Sequence, residues 1–148
     1  MTPSPAIEAA PAKVNFAYVV IVGLAAGLAS LISLFAWPFG ILTGIVIGRS
    51  DAERRAGIRQ PASLTIIRYL GVTGGVLAMA FFGAFIGLVG GFIVAALAAF
   101  NERVLEGTGP TDRGIGRIAF IVVTIVTWVV VAMVLNVHVN IGGTNPTP

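Results

Sequence analysis

The sequence predicts an all-α, polytopic integral membrane protein with four or five transmembrane helices, arranged as helical hairpins plus a final single span. Three observations carry this. Of 148 residues, 57% are hydrophobic and 10% charged, against roughly 45–50% and about 25% in soluble domains. Nine Lys and Arg and six Asp and Glu are too few to cover the surface of a water-soluble fold of this size. Charged residues are missing altogether from 14–48, 69–100 and 118–148, each longer than the ~20 residues that cross a hydrocarbon core. These stretches are continuously apolar instead of alternating, which argues against β-barrel strands and for helices, whose backbone groups are satisfied within the segment.

Taken in order, residues 1–13 open with MTPSPAIEAAPA, rich in proline and poor in large apolar side chains, and are expected to form a flexible tail. The apolar run after Lys13 is not read as a cleavable signal, because it continues well past the small residues at Gly27-Leu28-Ala29. The transmembrane domain is expected over 14–141, followed by a second flexible tail over 142–148.

Within that domain, helix length decides the number of crossings. The 32 uncharged residues of 69–100 would make a helix about 48 Å long. Fitting it into about 30 Å of hydrocarbon demands a tilt beyond the usual ~40°. The long runs are therefore expected to turn back. Spans are predicted at about 14–34, 38–56, 64–82, 85–104 and 117–138, with Pro38 in the first turn of the second span, Trp37 at an interface and a turn near Gly83. Ser50 and Glu53 match a capping box, which predicts a short interfacial helix from Asp51 towards Gln60-Pro61. Gly107-Thr108-Gly109-Pro110 is a turn signal.

The arginines test this layout. Arg49, Arg54, Arg55, Arg59 and Arg68 precede the second apolar run, and Arg103, Arg113 and Arg117 follow it. Lys and Arg accumulate in cytoplasmic loops, so a single crossing between these two groups would violate the rule and a hairpin satisfies it. The C-terminal tail, without Lys or Arg, is expected outside. A hairpin in the first run gives five spans and a cytoplasmic N-terminus; one long tilted helix there gives four. The net charge of +3 and pI of about 10.2 follow from this topology, and no nucleic-acid partner is expected. The short tails point to a bacterial cytoplasmic (inner) membrane.

Chemistry is sparse. Cysteine is absent and His138 is the single histidine, so clustered soft metal ligands cannot form, and no cofactor is expected. Glu8, Asp51, Glu53, Glu102, Glu106 and Asp112 lie in tails, loops or helix ends and read as ordinary helix-end charges. Ser30, Ser33 and Ser63 have no base nearby in sequence. Neither a catalytic site nor a phosphate loop is expected, and ion-coupled transport is disfavoured because no ionisable residue falls near a predicted midplane.

The most distinctive pattern is a pair of glycine ladders, Gly40, Gly44, Gly48 and Gly83, Gly87, Gly91, joined by the shorter pair Gly23 and Gly27. A four-residue spacing lines one helix face, where small residues let backbones approach closely in lipid. These positions are the expected helix-packing residues, within the chain or between chains. Arg49, Arg54, Arg55, Arg59, Arg103, Arg113 and Arg117 are the expected contacts to cytoplasmic headgroups or a partner. The function expected is a non-catalytic structural or accessory subunit of a membrane complex, with membrane lipids and other subunits, or further copies of itself, as partners. A homo-oligomeric channel or passive transporter and a membrane-shaping hairpin protein are the alternatives.

Overall fold

A computed structural model describes residues 12–142, with side-chain surroundings through residue 136. The tails at 1–11 and 143–148, with Glu8, and the side chain of His138 lie outside the described residues. The described chain is all-helical: α1 (Phe16–Ile32), α2 (Trp37–Arg55), α3 (Ala62–Val104) and α4 (Pro110–Gly142). Its single bridge, between Ala12 and Thr108, belongs to no strand.

The helix α3 is broken at Ala84, whose φ of 49° and ψ of −163° are not helical. Its two arms, 62–83 and 85–104, fold back on each other: a Cβ on Gly91 would lie 2.7 Å from the Met79 sulfur, although twelve helical residues would separate them by about 18 Å. The break falls one residue past Gly83, where the charge pattern puts a turn. Gly83 itself is reserved for packing. A Cβ there would lie 2.8 Å from the Ala36 Cβ, so the unusual backbone conformation is taken by its neighbour.

In the first apolar run, α1 and α2 are joined by 33–36, where Leu34 has a left-handed φ of 53°. The run is thus two helices and not one. With the two arms of α3, the chain passes from end to end five times. Gly23 faces Val123 and Gly27 faces Thr127, so α1 and α4 run parallel. Gly40 faces Gly91 and Gly48 faces Glu102, so α2 runs parallel to the second arm. The first arm returns antiparallel to α2, with Gly75 on Thr43 and Arg68 on Glu53. Peripheral α4 rests on α1 and barely touches α3.

The core is built from small and medium side chains. Val19, Val22, Ala26 and Ala29 of α1 meet Val94 and Ala98 of the second arm, closed at one end by Leu105 and Phe120. Two of the buried hydroxyls are satisfied by their own helices: Ser30 donates to the Ala26 carbonyl at 2.7 Å and Thr124 to the Phe120 carbonyl at 2.8 Å, whereas the buried Thr43 hydroxyl has no partner. Such back-bonding lets a polar side chain sit in an apolar interior without an orphan donor.

Ser50 does not cap a separate helix. It lies inside α2, which continues to Arg55. What ends α2 is Gly57, at φ 69°, with its N–H donating to the Arg54 carbonyl and the Ile58 N–H to the Glu53 carbonyl. This paired arrangement satisfies carbonyls that the last helical turn leaves open, and glycine is the residue that enters it without strain.

Candidate functional site

Among the described residues, the five passes segregate charge to one end. Lys13 stands beside Ala12, whose N–H donates to the Gly107 carbonyl. The C-terminal part of α2, the start of the first arm, the end of the second and the start of α4 meet at this same end through the ion pairs below. Every one of the nine Lys and Arg therefore lies towards one end of the bundle, among Asp51, Glu53, Glu102, Glu106 and Asp112. The opposite end, at 33–36 and around Ala84, carries no charge.

At the charged end, carboxylates bind the helices to one another. Glu102 is only 4% exposed and accepts two 2.6 Å bonds from Arg117 Nε and Nη2, joining the second arm to α4. Such bidentate, charge-assisted pairing compensates the desolvation of a buried carboxylate. Glu102 is thus not the ordinary helix-end charge that its sequence neighbourhood suggests; its partner is fifteen residues away and invisible to local reading. Glu53 accepts from Arg68 at 2.6 Å and Arg49 at 3.1 Å, and also from Gln60 Nε2, fastening the start of α3 onto α2. Arg55 bridges Asp51 at 2.7 Å and Glu106 at 3.3 Å.

The remaining arginines behave differently. Among the described residues, Arg54, Arg59, Arg103 and Arg113 have no carboxylate within ion-pairing distance. Arg54 and Arg103 line a cleft of about 680 Å³ between α2 and the two arms of α3, together with Arg55, Arg68, Asp51 and Gln60. Its deeper wall is apolar, from Val46, Ile47, Val72 and Phe100. The glycine spacing and the arginine positions were readable in the sequence; the cleft was not, because its lining comes from three helical segments that only the fold brings together.

No protein-family model, curated protein or solved structure matches the chain.

The glycine ladders are used within the chain. A Cβ would lie 2.6 Å from the Gly91 carbonyl oxygen at Gly40, 2.7 Å from the Glu102 Cβ at Gly48, 2.8 Å from the Val123 side chain at Gly23 and 2.9 Å from the Ser33 carbonyl at Gly87. Gly44 sits equally close to the Ala95 backbone. Gly90, which the four-residue spacing passes over, is as tightly placed, 2.6 Å from the Ser33 nitrogen by the same measure. Beside Gly71 and Gly74 of the first arm, by contrast, there is open space.

At the uncharged end, Trp37 and Trp128 pack with ring centroids 5.7 Å apart, and Phe39 stacks on Phe82 at 5.2 Å. Trp128 of α4 thereby packs against the start of α2. Phe35, Phe81 and Phe85 project outward, Phe85 being 93% exposed. Among the described residues, no three His, Asp or Glu side chains come together in a way that could hold a metal ion.

Proposed function

We propose that the chain is a polytopic membrane protein of the bacterial cytoplasmic membrane, acting as a non-catalytic structural subunit of a larger assembly, with its arginine end cytoplasmic and its C-terminus outside. The observation that carries this reading is the segregation of charge. Two helices, α3 and Pro110–Asn136 of α4, are long and apolar enough to cross a membrane, with windows of mean hydropathy 2.3 and 2.9. Their flanks expose Ile66, Ile67, Leu77, Val126, Met133 and Leu135. Each such side chain held in water forgoes about 1.5–3 kcal/mol of transfer free energy, whereas hydrocarbon accepts them all.

With the glycine faces filled from within, the surfaces left for a partner subunit are the outer faces of α4 and of the first arm. The channel alternative draws no support from the glycines, since the faces that would line a pore are packed. The proposal is tested by solubilising native membranes in mild detergent and measuring the protein mass of the particle by light scattering. An assembly larger than one 15.2 kDa chain is expected; a monodisperse monomer contradicts it.

A second reading, membrane shaping by inserted hairpins, is favoured by the apolar turns. Gly23 sits between Phe120 and Val123, and Gly27 between Thr124 and Thr127, so residue n of α1 is level with about residue n + 98 of α4. Ile32 then ends about six residues, or ~9 Å, before Asn136. The span from Arg117 to Asn136 is itself about 28 Å, close to the thickness of the hydrocarbon. On this ruler the turn at 33–36, which carries Phe35 and is followed by Trp37, stops inside the far leaflet. Vesicles reconstituted with the chain should shrink in diameter if the turns wedge the bilayer; unchanged diameters at high protein density would exclude shaping.

A further inference from the structure

We propose that the cleft at the charged end binds one anionic phospholipid, with the phosphate between Arg54 and Arg103 and the acyl chains along the apolar wall. The inference rests on the reading of the chain as a membrane protein.

The cleft has the polarity of an amphiphile. Four of its lining residues are arginines and one is a carboxylate, Asp51. Two of those arginines are already matched, Arg55 by Asp51 and Glu106 and Arg68 by Glu53. The charge left over is that of Arg54, on α2, and Arg103, on the second arm, so the unmatched cations stand on different walls. A phosphodiester supplies the missing counter-charge and accepts from both guanidinium groups, the chemistry for which arginine is suited.

The second wall commits the ligand to a lipid. Below the arginines the lining becomes Val46, Ile47, Val72 and Phe100. Val46 also borders a crevice of about 360 Å³ between α2 and the first arm, lined by Phe39, Leu42, Gly74 and Ala78. The missing side chains of Gly71 and Gly74 leave that crevice open. The cationic mouth and the apolar crevice thus share Val46, and the crevice lies on the side of the uncharged end, an arrangement that fits an acyl chain and offers nothing to a free phosphate. Gln60, at the mouth, has a buried side-chain oxygen without a hydrogen-bond partner.

The experiment is native mass spectrometry of the purified full chain in detergent, titrated separately with phosphatidylglycerol, phosphatidylcholine and inorganic phosphate. One phosphatidylglycerol should be retained per chain in clear preference to phosphatidylcholine, and inorganic phosphate should not displace it. Arg54→Gln and Arg103→Gln should each weaken retention about five-fold, the equivalent of roughly 1 kcal/mol per basic residue near an anionic surface. Arg59→Gln, outside the cleft, should leave it unchanged, and Val46→Trp, which fills the apolar wall without altering charge, should abolish it. Helical circular dichroism confirms that each variant is folded. Equal retention of the two lipids, equal loss in Arg59→Gln and Arg54→Gln, displacement by phosphate, or full retention by folded Val46→Trp would overturn the site. Flotation with vesicles separates the two claims: a chain that does not float overturns the membrane reading and the site together, whereas one that floats without selectivity overturns the site alone.

Discussion

At the scale of single residues, two positions hold unusual states and each makes a test. Ala84 adopts φ 49° and ψ −163°, a region costly for any residue with a Cβ. It does so because the adjacent glycine is needed against Ala36. Ala84→Gly should therefore stabilise the fold by about 1 kcal/mol, seen as a higher midpoint of thermal unfolding in detergent. Glu102→Gln should cost roughly 3 kcal/mol, because it strands Arg117 beside a neutral amide. The double change Glu102→Leu with Arg117→Met should recover most of that loss, a contrast that a double-mutant cycle resolves. Neither state was legible in the sequence. Gly83 looked like the turn residue because glycine serves both turns and close approaches, and only the position of Ala36 distinguishes the two uses. Glu102 looked like a solvated helix end because ion pairing across fifteen residues leaves no local signature.

At the scale of elements, the glycines divide into those that meet backbone and those that meet open space. Gly44 lies against the backbone of Ala95, so Gly44→Ala must push α2 away from the second arm, at a cost of about 1–3 kcal/mol. Gly74 meets nothing within 4 Å, and Gly74→Ala should be neutral or stabilise the first arm by up to about 1 kcal/mol, the helix-propensity difference. Thermal unfolding of both variants side by side checks this. The four-residue ladder was plain in the sequence because small residues on one face stand out among large apolar ones. The capping box misled, since Ser50 and Glu53 have the right spacing but α2 had already begun thirteen residues earlier, at Trp37. The true stop signal was Gly57, followed by Pro61.

For the whole molecule, the informative feature of the sequence was the placement of charge. Arginines on both sides of the second apolar run require it to return, and in the structure Arg68 and Arg103 line the same cleft. The cleft between α2 and the two arms, and the level that the 33–36 turn reaches along α4, depend on side-chain packing that one-dimensional periodicity does not encode.

The proposal that the chain crosses a bilayer with every arginine-rich segment on one face is directly testable, because the sequence contains no cysteine. Single cysteines at Arg59 and Thr111, on either side of α3, are exposed to a membrane-impermeant maleimide in sealed inverted and right-side-out vesicles. Both should label from the cytoplasmic face alone, because α3 turns back at Ala84. Labelling of the two positions from opposite faces would make α3 a single crossing and overturn the proposed topology.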